Sequence, residues 1–244
     1  MKPRREQSVL IIGVGGLGCP AALALGLAGV GKIGLADDDA IDLTNLHRQI
    51  LFDERDVGSR KVATAAERLR QRFPDLLVET HEARLLPHNA VDLVLRYDVV
   101  VEGSDNFATK FLAADACSIA KVPVVHGAAV RWHGTALAVS RLGQPCYRCL
   151  FEDLPREHAP NCAEAGVVGP VVGILAAVQA DLALALLGGS PAGGTLVTYD
   201  GLRDLARCRR IQPNPRCSLC READSVHSRT IDASRYATDA CDAH

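Results

Sequence analysis

Apolar and polar positions alternate along the first half of the chain in a way that predicts strands and helices in turn. Short apolar runs predict strands at 8–13, 32–37, 77–81, 97–102 and 122–126. Segments with helical spacing predict helices at 16–28, 58–72 and 106–120. Because strands that alternate with helices build parallel sheets, the pattern predicts an α/β fold with a doubly wound, mostly parallel sheet.

The second half of the chain has a less regular pattern. It predicts a strand at 134–140, an irregular segment from 141 to 168, an apolar helix within 167–187 and a strand at 194–200. The helix approaches the length of a membrane span, but Gln179 and Asp181 near its middle favour a buried helix of a domain core. We expect one domain over residues 1–220 and, because residues 221–244 lack apolar periodicity, a mobile tail.

Composition narrows the class of protein. The 244 residues carry a net charge of −2 with both signs interspersed, which argues against a nucleic-acid partner. Glycines interrupt the apolar run near the N-terminus, so we interpret it as a strand and not as a secretory signal. Nine cysteines without such a signal predict a cytoplasmic chain, in which thiols are more often metal ligands or reactive groups than disulfides.

A glycine-rich turn follows the first predicted strand. Gly13, Gly15 and Gly18 have the G-x-G-x-x-G spacing, with Gly16 between them, and this pattern is typical of a turn that holds phosphates at a helix N-terminus. Asp37, at the end of the second strand, fits the acid that binds a ribose hydroxyl. These residues alone are compatible with a nicotinamide, a flavin or ATP, and also with a tight turn that binds nothing.

Polar residues after Asp37 favour ATP. Asn45, Arg48 and Lys61 bring two cations close to the predicted phosphate site, where hydride transfer has little use for them. A reaction that releases pyrophosphate needs such cations, because negative charge develops on the bridging and leaving oxygens. The alternative is ordinary surface charge.

Two further groups of residues suggest metal sites. Asp105 and Asn106 follow a strand at the sheet edge where ligands bind, so the carboxylate of Asp105 is a candidate magnesium ligand; the alternative is a helix N-cap. Two C-x-x-C pairs predict a closed structural zinc site, and the alternative is a redox role for either pair. The candidate zinc ligands are Cys146, Cys149, Cys217 and Cys220.

Taken together, these motifs resemble the MoeB/ThiF (HesA/MoeB/ThiF) family, the bacterial relatives of ubiquitin-activating enzymes, over roughly residues 8 to 220. The matching elements, in family order, are GVGGLG, DDDAIDLTNLHRQ, VGSRKV, GSDN, VPVVHGAAV, PCYRCL, CAEAGVVGP and NPRCSLC. The resemblance implies a Rossmann-like enzyme that uses ATP and magnesium to adenylate the C-terminal Gly-Gly carboxylate of a ubiquitin-like sulfur-carrier protein. Such activation supplies sulfur for molybdopterin, thiamine or a related metabolite.

The resemblance also implies roles for single residues. Asp37 resembles the ribose-binding acid, Asn45 and Arg48 the N-x-x-R phosphate contacts, Lys61 the phosphate-binding lysine and Asp105 the magnesium-linked aspartate essential for adenylation. No protein nucleophile is then needed, since the carrier's own carboxylate attacks the α-phosphate.

Cys162 lies where some members carry a cysteine that links covalently to the carrier; the alternative is an inert loop thiol within a polar flap at 151–165. Family members form homodimers in which an N-terminal arginine reaches the partner's ATP site, and Arg4 or Arg5 is the candidate here. We expect the sulfur donor to be a separate protein. Two other functions stay open: activation of another peptide or RNA-linked carbonyl, and an inactive nucleotide-binding scaffold.

Overall fold

The computed structural model describes residues 2–154, 166–217, 219–220 and 231–236. Eight strands form one sheet: β1 Ser8–Ile12, β2 Lys32–Ala36, β3 Leu77–His81, β4 Val99–Glu102, β5 Val124–Val130, β6 His133–Val139, β7 Thr195–Asp200 and β8 Leu205–Arg210. The described helices are α1 Gly18–Leu27, α2 Lys61–Arg72, α3 Ala90–Val94, α4 Phe107–Ala120, α5 Tyr147–Leu150 and α6 Gly169–Leu187. The predicted α/β class is therefore confirmed.

Four of the seven strand pairings are parallel, which agrees with the expectation of a mostly parallel sheet, and three pairings at one side make the sheet mixed. The strand order is β3-β2-β1-β4-β5-β6-β7-β8, and the strands from β3 to β5 in this order are parallel. The remaining pairings are antiparallel. Only two residues, Arg131 and Trp132, connect β5 to β6, and a connection this short permits an antiparallel hairpin but no parallel crossover.

Helices cover both faces of the parallel half. Val9 and Ile11 of β1 pack into a core with α1, α2 and α6, whereas Leu10 and Ile12 pack into a second core with α3 and α4. Burial on both faces explains why β1 reads as a continuous apolar run without alternation. The two layers leave the carboxyl ends of the parallel strands open along one edge.

Helix α6 lies across the sheet. Its length and composition would also fit a membrane span, but it packs against β4, β5, β6 and α1. The buried amide of Gln179 donates hydrogen bonds to the carbonyl oxygens of Glu102 (2.8 Å) and Val125 (3.2 Å). The interpretation of this segment as a core helix agrees with these contacts.

Several elements were not expected from the pattern. Helix α3 has five residues and α5 has four, too few to show a helical period. Every residue of β8 is exposed, so this strand has no apolar signal and depends on its pairing with β7. Within the predicted tail, Ala233–Tyr236 form a 3-10 turn, and the Tyr236 hydroxyl donates to the Asp115 carboxylate. The division into a domain at 1–220 and a mobile tail stays a prediction.

Candidate functional site

The turn between β1 and α1 requires glycine at two positions. Gly13 has a φ of 86°, and its N–H donates to the carbonyl of Ala36 at 2.9 Å. A Cβ atom on Gly18 would lie 2.0 Å from the Gly13 carbonyl oxygen. Glycine at these positions therefore lets the chain reverse sharply from strand to helix and leaves backbone N–H groups at the N-terminus of α1.

Gly15 and Gly16 differ in what surrounds them. A Cβ on Gly16 would lie 3.0 Å from Val172 Cγ1, so packing restricts this position. A Cβ on Gly15 would meet nothing closer than Gln49 Nε2 at 3.7 Å. The protein's own packing does not require glycine at position 15, and its absent side chain leaves room for a ligand close to the backbone.

Asp37 connects the end of β2 to the glycine turn. Its Oδ2 accepts a hydrogen bond from the Val14 N–H at 2.7 Å, and its Oδ1 accepts one from the Asp39 N–H at 2.9 Å. Burial raises the pKa of the Asp37 carboxyl above its usual range, while the charge of Lys61 and the two N–H donors oppose that shift. The side chain, 8 % exposed, presents a fixed acceptor at the sheet edge.

The predicted cations lie beside this carboxylate. Lys61 Nζ lies 2.6 Å from Asp39 Oδ2 and 3.9 Å from Asp37 Oδ1, and Arg48 Nη2 donates to Asn45 Oδ1 at 2.6 Å. Lys61 is 5 % exposed, so it is not an ordinary solvated surface charge. Both cations are held by hydrogen bonds in this structure.

The loop after β4 separates two roles that the sequence left open. Asn106 caps α4, because its Oδ1 accepts a hydrogen bond from the Thr109 N–H at 2.8 Å. Asp105 is exposed and lines the cavity described next. The helix-cap alternative therefore applies to Asn106 and not to Asp105.

These elements enclose a cavity of about 670 Å³ at the carboxyl ends of the parallel strands. The cavity is lined by the predicted residues Gly13, Gly15, Gly16, Asp37, Asn45, Arg48, Lys61, Asp105 and Asn106. Gly18 does not line the cavity; it permits the turn because its backbone lies close to the Gly13 carbonyl oxygen. A single cavity thus brings together a glycine turn, the carboxylates of Asp37 and Asp105, and two cations.

Sequence reasoning missed Gln49, which lies in the same wall. Its side chain is buried next to Gly15, and its Oε1 has no hydrogen-bond partner among the described residues. A buried acceptor without a partner is costly, so a bound donor would stabilise it. The signal in the sequence was its place at the end of DDDAIDLTNLHRQ, directly after Arg48.

A second missed group is a buried polar cluster of Glu102, Lys110 and His126. Lys110 Nζ donates to Glu102 Oε2 at 3.0 Å, and His126 Nδ1 lies 3.2 Å from the same oxygen. Lys110 and His126 both line the cavity. Their spacing along the chain gives no motif; the parallel register of β4 and β5, which places Glu102 opposite His126, brings them together.

The cluster fixes the charge of each member. Burial alone would raise the pKa of Glu102, but the charge of Lys110 and hydrogen bonds from His126 and Ser104 lower it to about 2. Burial lowers the pKa of His126 below its ordinary value, although Glu102 opposes that shift. At neutral pH Glu102 is therefore ionised and His126 is neutral.

Outside the cavity, the two C-x-x-C pairs meet in one cluster of sulfur atoms. The Sγ distances are 3.8 Å for Cys146–Cys149, 3.5 Å for Cys146–Cys217 and 3.3 Å for Cys149–Cys220. All four sulfurs lie within 4.8 Å of one another. A tetrahedral zinc ion with Zn–S bonds near 2.3 Å needs sulfurs about 3.8 Å apart, so the donor set fits such an ion.

Backbone donors surround the same sulfurs. The N–H of Asn214 donates to Cys149 Sγ at 3.3 Å, and the N–H of Leu219 donates to Cys217 Sγ at 3.4 Å. Such bonds favour thiolate ligands and fix their orientation.

Cys162 lies outside the described residues. Arg4 and Arg5 form a 3-10 turn just before β1, at the sheet edge opposite the cavity, so neither reaches the cavity of its own chain. A role for either arginine in a partner's site stays a prediction.

Comparison with known proteins identifies relatives of this arrangement. The chain is 40 % identical over 236 residues to the adenylyltransferase and sulfurtransferase MOCS3 of Anopheles gambiae. The matched region covers 95 % of this chain and 53 % of that protein. It is 40 % identical over 225 residues to the sulfur carrier protein adenylyltransferase of Thermus thermophilus, covering 88 % of this chain and 83 % of that protein. The chain spans about half the length of the MOCS3 relatives it matches.

The fold is shared with solved structures of lower identity. The structure of E. coli MccB with ATP matches with a TM-score of 0.76 and 23 % identity, over 89 % of this chain and 67 % of that chain. The model of the ThiF family matches residues 1–219, which include every strand, the glycine turn and three of the four clustered cysteines. The chain therefore belongs to the ThiF family.

Proposed function

We propose that the protein is an adenylyltransferase that uses ATP to activate the C-terminal Gly-Gly carboxylate of a ubiquitin-like sulfur-carrier protein. The observation that carries this proposal is the meeting of the glycine turn, Asp37, two cations and Asp105 in one cavity. Two curated relatives with adenylyltransferase names and a structural neighbour solved with ATP support it.

The nucleotide would lie along the cavity from the end of β2 toward β4. Asp37 would accept hydrogen bonds from the ribose, since each carboxylate oxygen has lone-pair capacity beyond its one backbone donor. The N–H groups at the start of α1 would hold phosphate oxygens, with Gly15 permitting their close approach. Gln49 Oε1 has no hydrogen-bond partner among the described residues and would accept a hydrogen bond from the nucleotide.

The residues of the cavity perform the reaction by positioning and charge. The carrier's carboxylate attacks the α-phosphorus of ATP; one P–O bond forms to the carboxylate, and the P–O bond to pyrophosphate breaks. Arg48 and Lys61 would stabilise the negative charge that grows on the phosphate and on the leaving pyrophosphate. For this role, Lys61 would break its ion pair with Asp39 and bind the phosphate oxygens instead.

Asp105 would hold the magnesium ion that accompanies the nucleotide. Its carboxylate is an oxygen ligand of the kind magnesium prefers, at the cavity wall next to the phosphate site. Magnesium, when bound, neutralises charge on the phosphate oxygens.

A structural zinc ion would be held by the four clustered cysteines. It would tie the chain after β6 to the segment after β8, far along the sequence. No step of the reaction involves it.

A sulfur nucleophile on a separate donor protein would then attack the carrier's acyl adenylate: a C–S bond forms, the C–O bond to AMP breaks, and AMP leaves. This step would supply sulfur for molybdopterin, thiamine or a related metabolite. We further propose a homodimer in which Arg4 or Arg5 of one protomer reaches the partner's cavity. Cys162 would take no part in adenylation, so its replacement would leave that step intact.

Exchange of labelled pyrophosphate into ATP tests this function. We expect exchange that depends on magnesium and on a purified ubiquitin-like carrier ending in Gly-Gly. A carrier that lacks its last glycine is the matched control and should give background exchange. Tight binding of a nicotinamide dinucleotide in preference to ATP would contradict the proposal.

A further inference from the structure

Among the described residues, Asp39 is the direct ionic partner of the buried Lys61. Lys61 Nζ donates to Asp39 Oδ2 at 2.6 Å, whereas Asp37 Oδ1 lies 3.9 Å from Nζ, beyond hydrogen-bond distance. Both carboxylate oxygens of Asp37 already accept backbone N–H groups, from Val14 and from Asp39. The position of the Lys61 ammonium therefore depends on Asp39 more than on Asp37.

The two partners differ in how much each depends on the other. The Lys61 side chain is 7 % exposed and that of Asp39 is 65 % exposed. A buried ammonium needs an anion beside it, whereas an exposed carboxylate that loses its partner is solvated by water. Lys61 is also the first residue of α2, where the partial positive charge of the helix N-terminus disfavours a cation. Lys61 therefore requires a negative partner, and a phosphate can replace Asp39 in that role.

The backbone around this ion pair is fixed. The Lys61 N–H donates to the Asp39 carbonyl at 3.1 Å, and Arg60 Nη1 donates to the Asp38 carbonyl at 2.7 Å. Ala40 and Arg60 pair as an isolated β-bridge. The loop after β2 and the start of α2 thus form one frame, in which only the flexible side chain of Lys61 has to move between Asp39 and a ligand.

The Asp39 carboxylate also faces the ligand of Lys61. Asp39 and Lys61 both line the cavity, so phosphates that bind the ammonium approach the carboxylate as well. Two anions at one ammonium repel each other, and each weakens the interaction of the other with Lys61.

We propose that Asp39 competes with the phosphates for Lys61 and thereby weakens the binding of pyrophosphate, which promotes release of this product after adenylation. This inference rests on the proposed function. While pyrophosphate is bound, Lys61 contacts its oxygens and Asp39 is solvated. As pyrophosphate leaves, Lys61 returns to Asp39, so the buried ammonium is never without a negative partner. Asp39 acts through Lys61 and needs no contact with the reacting atoms.

The pyrophosphate affinity of Asp39→Asn tests the competition. This variant keeps the size of the side chain and removes its charge, and because residue 39 is exposed, the thermal midpoint should match wild type. In calorimetric titrations with magnesium pyrophosphate, Asp39→Asn should bind about fivefold more tightly than wild type, the factor that corresponds to one ion pair with an exposed partner. The inhibition constant of pyrophosphate in carrier adenylation should fall by the same factor. A structural defect would weaken binding, so a gain in affinity distinguishes competition from damage.

Two controls show whether the effect passes through Lys61. Asp38→Asn removes a charge from the neighbouring residue, which is exposed, lines the same cavity and has no ion pair among the described residues. It should leave pyrophosphate affinity close to that of wild type, because water and salt screen an exposed charge. In a Lys61→Met background, Asp39→Asn should give no gain. If Asp39→Asn does not fold, Asp39→Ser repeats the test with a smaller neutral side chain.

Each outcome has a distinct meaning. Unchanged or weaker pyrophosphate binding in a folded neutral variant at residue 39, an equal gain in Asp38→Asn, or a gain that persists in the Lys61→Met background would overturn the inference. Carrier-dependent exchange in wild type would then still support the proposed function. A wild type that binds neither ATP nor pyrophosphate and gives no exchange would overturn the proposed function, and this inference with it.

Discussion

Lys110 Nζ lies 3.0 Å from Glu102 Oε2, and both side chains are buried. Glu102 ends β4 and Lys110 is the fourth residue of α4, so this ion pair fastens the helix that follows Asp105 to the sheet. Removing one member of a buried pair leaves an uncompensated charge, which costs more free energy than the intact pair contributes.

We therefore predict that Lys110→Met lowers the free energy of unfolding by about 3–5 kcal/mol. The double variant Lys110→Met/Glu102→Gln should recover most of this loss, because it removes both charges. Urea unfolding of the wild type, both single variants and the double variant measures the coupling. Additive losses would show that the two charges do not depend on each other.

The ion pair of Glu102 and Lys110 also predicts how the stability of the fold depends on pH in the acid range. The pKa of Glu102 is about 2 in the fold and near 4.3 in an unfolded chain. A lowered carboxyl pKa contributes stability that is complete above the unfolded pKa and is lost as the pH falls toward the folded one. Between pH 5 and 2, the free energy of unfolding should fall less steeply in the double variant than in wild type. Parallel pH profiles would contradict the assignment of charge to Glu102.

The glycine turn gives a prediction with a matched control. Gly18→Ala would place a Cβ 2.0 Å from a backbone oxygen of the turn, so the turn must move and ATP binding should be lost together with stability. Gly173→Ala, within α6, meets nothing within 4 Å and should stabilise the fold by about 0.5–1 kcal/mol. Calorimetric ATP titration and thermal unfolding of both variants test this. ATP affinity preserved in Gly18→Ala would argue against the turn as the phosphate site.

The nucleotide half of the site could be predicted because its residues lie in short contiguous motifs next to clear strands. Gly13 and Asp37 each follow an apolar run, so their position at the carboxyl edge of a sheet could be predicted. The cluster around His126 was not, since Glu102 and Lys110 join it only through strand register and helix packing.

The antiparallel half of the sheet shows the same limit. Strand β8 is exposed, and the pattern gave no orientation for the strands after β5; the two-residue connection at Arg131 and Trp132 makes β6 antiparallel to β5.

Metal analysis tests the cysteine cluster. We expect about one zinc ion per purified chain and, after removal by a chelator, loss of structure around the cysteines before the glycine turn unfolds. Cys217→Ser should lose the metal, whereas Cys208→Ser, an exposed cysteine outside the cluster, should keep it. Folded wild type without zinc and with four freely titratable thiols would exclude the site.

Carrier-dependent pyrophosphate exchange in Asp105→Asn tests the central claim most directly. Asp105 is exposed to the cavity and Asn106 provides the helix cap, so the variant should keep its stability and zinc. Exchange should fall by ~10² or more, as expected when a contact to transition-state charge is lost. In contrast, Asn106→Ala should lower stability by about 0.5–2 kcal/mol. A stable, zinc-loaded Asp105→Asn enzyme that exchanges pyrophosphate at the wild-type rate would contradict the account.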